Sequence, residues 1–291
     1  MKRALIIGLG IGNLYKDIYE KMGWSVVTVD KDSSKNPTYN NIAEVAGRFT
    51  VAHVCTPNFL HEVHAEVCAR LCDVVFVEKP GLKTAEDWQR LVERHPAVRI
   101  MMVKNNMWRN NIDPVAHNSN IIINWLNENR VPSPGTWFTT KELAWGGVSR
   151  DLMPHLLSIF VMMLPNDYKK AELIRKFSNQ TWQLKDLLNT DYGTVNTDGI
   201  YDVDDVAQLT FSYKNVEYVL TANWRTRNVD DRSIRYVKSG WEQGKINLGL
   251  CPEEAYAAMI EDALANIKND DWWQRQKEID LWIHNMVEKL S

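Results

Sequence analysis

Short apolar runs that recur at even intervals through the first third of the chain constrain its fold more than any other feature. They lie at residues 3–7, 25–29, 51–55, 73–77 and 99–103 and are rich in Val and Ile. Helical stretches separate them: one through about Met22, one near 59–71 and one near 84–94. Strands alternating with helices of this length imply a parallel sheet. Such a sheet is covered on both faces, so its strands are continuously apolar rather than alternating. The N-terminal part is therefore expected to be a doubly wound α/β domain.

After Trp108 the texture changes. A polar stretch at 105–120 leads to an expected helix around 121–129 and then to Val131-Pro132-Ser133-Pro134-Gly135. Alternating segments follow at 136–143, 170–177, 207–213, 217–224 and 233–237, and two helices at 252–267 and 272–290 close the chain. Period-two alternation argues for an antiparallel sheet with one covered face. The expected domains are 1–108, a doubly wound α/β domain, and 109–291, an α+β domain. No internal repeat is present.

With 45% apolar and 24% charged residues, the chain has enough apolar side chain to offset its conformational entropy, which excludes a disordered protein. Its formal charge of −3 gives no global attraction to nucleic acid or anionic lipid. No apolar run approaches the roughly 20 residues of a membrane helix. The start, Met1-Lys2-Arg3 and an apolar stretch, reads as a buried first strand rather than a signal peptide, because Gly8 and Gly10 interrupt it. Cys55, Cys68, Cys72 and Cys251 form no C-x-x-C pair and read as buried small hydrophobes, with no metal expected. A reducing cytoplasm is the expected compartment.

Between the first strand and first helix stands Gly8-Leu9-Gly10-Ile11-Gly12-Asn13. In a dinucleotide fold the first glycine makes the tight turn and the second admits the pyrophosphate, which the helix N-terminus then binds. The usual third glycine, five residues after the first, is Asn13 here. Asp30 ends the second strand, 20 residues after Gly10, where a carboxylate accepts from the adenosine ribose hydroxyls. That charge repels a 2′-phosphate and favours NAD, although Lys31 and Lys35 partly offset it and leave NADP open.

Two more motifs follow parallel strands at their carboxyl ends, where open α/β sheets bind ligands. These are Cys55-Thr56-Pro57-Asn58, with His61 beyond it, and Val77-Glu78-Lys79-Pro80. Each also has a purely structural reading, as a helix cap, a surface histidine or a charged turn. Together with the glycine loop they resemble the glucose-fructose oxidoreductase/inositol dehydrogenase (Gfo/Idh/MocA) family, with its G-x-G, T-P-x-x-x-H and E-K-P signatures. Asp151-Leu152-Met153-Pro154-His155, shortly after Gly146-Gly147, resembles that family's D-x-x-x-H.

The resemblance implies an N-terminal Rossmann domain and a C-terminal domain with an open, mainly antiparallel sheet that often mediates oligomers. It implies cofactor contacts at Gly8, Gly10, Asp30, Thr56, Asn58, His61 and Glu78, to which the neighbouring Ile11, Gly12, Asn13 and Pro57 are joined. Lys79 is similar to the active-site lysine, and Asp151 and His155 to the substrate-side acid and base. Two positions depart: Asn105-Asn106-Met107-Trp108-Arg109 stands where the family has N-R-R-F, and Ser158 replaces an acid often found three after the histidine. Both bear on the substrate.

Oxidising a secondary alcohol removes a hydroxyl proton and passes a hydride from the same carbon to nicotinamide, with the cofactor carrying the hydride chemistry. An imidazole titrates near neutral pH, so His155 suits a general base in oxidation and an acid in reduction. Lys79 suits stabilisation of an alkoxide. Asp151, four residues before His155, shares its helix face or caps its helix. Trp108, Trp137, Trp145 and Trp224 offer flat faces to a sugar, with Trp145 best placed, although core packing is the more frequent use of tryptophan. Asn105, Trp108, Arg109 and Trp145 are the candidate substrate residues. The expected activity is an NAD(P)-dependent dehydrogenase or reductase of a sugar, sugar derivative or cyclitol, in a homo-oligomer (dimer or tetramer) without nucleic-acid or membrane partners. The alternatives are a reductase of C=N or conjugated C=C bonds, an NAD-dependent glycosidase, and a non-catalytic dinucleotide-binding module.

Overall fold

The computed structural model describes residues 2–112, 120–237 and 243–290. Of the polar stretch at 105–120, residues 113–119 lie outside them. The chain forms two compact units, Met1–Val103 with Tyr256–His284, and Lys104–Ala255 with Asn285–Ser291.

In the first unit, β1 (Arg3–Ile7), β2 (Ser25–Val29), β3 (Phe49–Val54), β4 (Cys72–Val77) and β5 (Arg99–Met102) make a sheet of order β2-β1-β3-β4-β5. Every pairing is parallel. Leu5, Ile6, Val51, Val74, Val75 and Val77 are fully buried, and each such side chain stabilises the fold by about 1.5–3 kcal/mol. The crossovers are α1 (Gly12–Lys21), α2 (His61–Leu71) and α3 (Ala85–Arg94). Thr84 caps α3 by accepting from the Asp87 amide at 3.0 Å. Gly23, at φ +73°, supplies the left-handed turn after α1.

The C-terminal helices are α7 (Glu253–Ala265) and α8 (Asp270–Glu288). Their residues 256–284 belong to the first unit, which differs from a boundary at 108/109. The reason is a set of contacts at the end of the sheet. Arg99 pairs with Asp270 and donates to the Ile267 carbonyl, the Met102 amide donates to Asp280 at 3.1 Å, and the Leu82 amide donates to His284 Nε2 at 3.1 Å.

The second unit is built on β6 (Ile121–Leu126), β7 (Glu172–Asn179), β8 (Val206–Tyr213), β9 (Val216–Asn223), β10 (Asp231–Val237) and β11 (Gln243–Asn247), in the order β11-β10-β6-β9-β8-β7. Only the β6–β9 pair is parallel. Two expectations fail. The helix expected at 121–129 is strand β6: Ile121, Ile123 and Trp125 are buried while Ile122, Asn124 and Leu126 are not. A nearly all-apolar run hides that period of two, and its isoleucines favour a strand. The alternating segment at 136–143 is not a strand but a tight turn (Trp137–Thr139) and α4 (Lys141–Ala144). Non-local caps override the local pattern there: Thr139 Oγ1 accepts from Gly135 and donates to the Ile200 carbonyl, and Asp202 accepts from the Lys141 amide at 2.6 Å. Two further helices, α5 (Val148–Asp151) and α6 (Met153–Met163), follow. Apolar on all sides, α6 is buried, and Phe160 stacks on Phe211 with ring centroids 4.7 Å apart.

Candidate active site

Each glycine of the Gly8–Asn13 loop has its own steric reason. Gly8 sits at φ +92°, and a Cβ there would lie 2.6 Å from the Cys55 carbonyl oxygen, so loop and β3 end touch backbone to backbone. A Cβ on Gly12 would lie 2.9 Å from Ile6 Cγ2, so Gly12 supplies the close helix–strand packing usually made one residue later. Gly10 meets nothing within 4 Å. The space beside it is open. Ile11 is the N-terminal cap of α1 and is 44% exposed, no side chain caps that terminus, and its first turn holds no acid. The Asn13 and Leu14 amides bond back to the Gly10 and Ile11 carbonyls at 3.4 and 3.0 Å, so the dipole and the remaining loop amides are what this terminus offers an anion. The exposed Asn13 donates to the Leu9 carbonyl at 3.0 Å.

Asp30 holds this loop in place. Its buried carboxylate accepts from the Leu9 amide at 2.6 Å, the Asp32 amide at 2.9 Å and Lys35 Nζ at 3.0 Å. Burial pushes its pKa up, but the Asp32 and Leu9 amides and Lys35 outweigh that and hold it below the ordinary carboxylate value. The charge expected to face a ribose is therefore already shared with a lysine.

The other two motifs of the first unit are tied to each other. His61 is 1% exposed, and its ring nitrogens lie 2.8 Å from the Gly81 and Thr56 carbonyl oxygens. Burial pulls its pKa down to about 4, against the two carbonyls, which favour the charged ring. Thr56 Oγ1 meets His64 Nδ1 at 3.1 Å. Pro57 and Asn58, both half-buried, open the short turn before α2. Glu78 accepts from the Tyr15 hydroxyl and from the Lys79 amide. Burial, reinforced by Glu78, raises the Tyr15 pKa and keeps the phenol protonated as a donor. Tyr15 in turn stacks on the buried His53 at 4.0 Å. Lys79 is half-buried and precedes a cis Pro80; Gly81 follows at φ +80° with the His284 ring where a Cβ would go.

Lys79 stands in the first unit, and Asp151 and His155 stand in the second. There, Asn106 Nδ2 meets His155 Nδ1 at 2.9 Å and Arg109 Nε donates to Asn106 Oδ1 at 2.7 Å. The Trp125 ring is stacked on His155 with centroids 5.3 Å apart. Asp151 ends α5, so the cap reading fails: the N-cap of α6 is Leu152, and the Asp151 carboxylate accepts from Trp224 Nε1 at 2.8 Å. Trp224 is buried and packs as core, and Trp137 stacks on Phe138. Asn105 is 1% exposed with neither amide atom bonded to nitrogen or oxygen among the described residues; the Cys251 thiol lies beside it. Trp108 is half-buried.

Trp145, at φ +68°, lines a cavity of about 230 Å³ with Lys141, Gln180 and Asp202. Neither Asp151 nor His155 lines it. Gly146-Gly147 is explained by Asp204, whose carboxylate accepts from the Gly147 and Ser149 amides at 2.8 Å and whose backbone fills the space of a Gly147 side chain. Sequence reasoning missed Tyr15, Asn106 and Trp125. Asn106 lay inside a segment that departs from the family pattern, which was its one signal. Tyr15 and Trp125 are ordinary core aromatics in sequence.

Residues 16–102 match the model of the Gfo/Idh/MocA oxidoreductase family, NAD-binding Rossmann fold. An Amycolatopsis mediterranei (strain S699) protein, assigned as a UDP-kanosamine synthase oxidoreductase subunit, is 23% identical over 287 residues, covering 86% of this chain and 76% of that protein. An NAD binding oxidoreductase from Klebsiella pneumoniae superposes with a TM-score of 0.72 at 15% identity, over 99% of this chain and 96% of that one. A levoglucosan dehydrogenase in complex with NADH and levoglucosan gives 0.69 at 12% identity, over 99% and 98%. At such identities the structural likeness shows a shared fold.

Proposed function

Starting from a chain whose residues 16–102 carry the NAD-binding Rossmann fold of the Gfo/Idh/MocA oxidoreductase family, we propose that it transfers a hydride between NAD and a secondary alcohol or carbonyl of a sugar, sugar derivative or cyclitol. The observation that carries this reading is the loop at Gly8–Gly12, closed to side chains at both ends, open at Gly10 and followed by an uncapped helix N-terminus. A dinucleotide pyrophosphate fits that combination of space, amides and dipole. The sugar-directed names of the Amycolatopsis relative and of the levoglucosan dehydrogenase support the substrate class.

When bound, nicotinamide supplies the hydride acceptor or donor. The Gly8–Asn13 loop would hold the pyrophosphate and Asp30 the ribose, with Thr56, Pro57, Asn58, His61 and Glu78 shaping the neighbouring loops. Lys79 brings positive charge to the substrate oxygen. In the second unit, His155 is the residue we assign to a substrate oxygen, with Asp151 four residues before it. Asn105, whose buried amide bonds no nitrogen or oxygen among the described residues, is the candidate assigned to a substrate hydroxyl. Trp108 and Arg109 flank it in sequence. Trp145, which lines a separate cavity of the second unit, serves the substrate less directly.

The assembly in this reading is a homo-oligomer in a reducing compartment, formed through the second unit's sheet. Light scattering should then return a multiple of 33.7 kDa; that mass alone across a wide concentration range would remove this part. The test of the activity is NAD reduction with a panel of sugars and cyclitols, comparing wild type with Lys79→Ala. Loss of a well-placed charge stabiliser costs about 100- to 1,000-fold in rate, so near wild-type turnover in the variant would overturn the assignment of Lys79.

A further inference from the structure

His155 is expected from its residue type to exchange a proton with the substrate, yet its surroundings dictate a different state. Arg109 Nε–H is a donor without a lone pair, whatever the pH. It lies 2.7 Å from Asn106, so the amide atom facing it must be the oxygen. That turns the Asn106 NH2 group toward His155 Nδ1, 2.9 Å away. An NH2 group cannot accept. Nδ1 must therefore present its lone pair, and the one proton of a neutral imidazole is left on Nε2. The usual ambiguity of amide orientation is removed here by the arginine and not by any assignment of hydrogens.

The members of this chain are themselves fixed. Asn106 is fully buried and Arg109 is 5% exposed. Arg109 Nη1 and Nη2 donate to the Leu248 and Gly249 carbonyls at 2.6 and 3.3 Å, so the guanidinium has no freedom to turn away. The Trp125 ring packs on the imidazole face, and the Arg232 guanidinium lies 5.9 Å over that same ring while donating twice to Asn127 Oδ1. Asn106 falls where this sequence departs from the Asn-Arg-Arg-Phe pattern, so the device belongs to this chain's own substitution.

We propose that Asn106, oriented by Arg109, holds His155 as the neutral Nε2–H tautomer, so that His155 meets the substrate oxygen as a hydrogen-bond donor. The role toward substrate rests on the oxidoreductase reading; the tautomer does not. Asn106 and Arg109 are positioning residues that act through His155.

The direct readout is the long-range proton–nitrogen correlation spectrum of the full chain labelled with nitrogen-15 histidine at neutral pH, with His155→Gln identifying the signals. Wild type should show a pyridine-like Nδ1 and a pyrrole-like Nε2. In Asn106→Asp a carboxylate of the same shape still pairs with Arg109 but accepts from Nδ1, so the pattern should reverse or become that of an imidazolium. Arg109→Gln, which frees the amide to turn, should move both nitrogens toward intermediate shifts. A wild-type ring protonated on Nδ1, or on both nitrogens, overturns the proposal, as does an Asn106→Asp spectrum identical to wild type. The wild-type spectrum decides even if a variant fails to fold. Calorimetric titration of the same wild-type sample with NAD separates the two readings: absent binding with the Nε2–H pattern intact removes the oxidoreductase reading alone.

Discussion

At the scale of single residues, the glycine loop separates stability from binding in a way that mutation can resolve. Gly8→Ala forces a side chain into a left-handed backbone and against the Cys55 carbonyl. Left-handed strain costs about 1–2 kcal/mol and overpacking about 1–3, so a loss of about 2–5 kcal/mol is expected in urea unfolding. A stability within 1 kcal/mol of wild type would show that the loop relaxes freely. Lys35 offers a second test. Its ammonium shares the Asp30 carboxylate, so Lys35→Ala should uncover negative charge and weaken NADP relative to NAD by roughly fivefold, the scale of an exposed ion pair. Calorimetry with both nucleotides reads that ratio, and an unchanged ratio would mean that Asp30 does not face the 2′ position.

At the scale of elements, the turn that carries Lys79 is packed by a helix from the far end of the chain. His284 of α8 accepts from the Leu82 amide, donates to the Asp280 carbonyl and stacks on Trp88. Gly81→Ala would drive a methyl group into that ring at φ +80°. A destabilisation of about 2–5 kcal/mol is expected, on the same two grounds as at Gly8; an unaltered thermal midpoint would show that α8 yields. The parallel strands and their loops were legible because a buried parallel strand is apolar throughout and glycines mark its turns. β6 was not, because Ile121-Ile122-Ile123 conceals which side chains are buried until the neighbouring strands are known. The 136–143 segment was not, because Asp202, which caps α4, lies far along the chain.

At the scale of the molecule, the candidate site was legible as a set of motifs and not as a set of contacts. The sequence pointed to Asp30 by its spacing from Gly10. Lys35, read as a partial offset to that charge, does pair with it, but nothing in the sequence indicated that the Leu9 amide occupies the same carboxylate, nor that Gly12 does the packing work of the usual third glycine. His155 was legible by its register with Asp151, whereas the Asn106–Arg109 relay that sets its proton depends on side-chain geometry. Every role proposed for the site depends on the Gly8–Asn13 loop binding the pyrophosphate of NAD. Calorimetric titration of wild type and Gly10→Val with NAD tests it most directly. Because a Cβ at Gly10 meets nothing within 4 Å, the variant should keep the wild-type thermal midpoint and lose NAD binding, while wild type binds one NAD per chain. A folded wild-type protein that binds no NAD, or a Gly10→Val variant that binds it unchanged, would contradict the account.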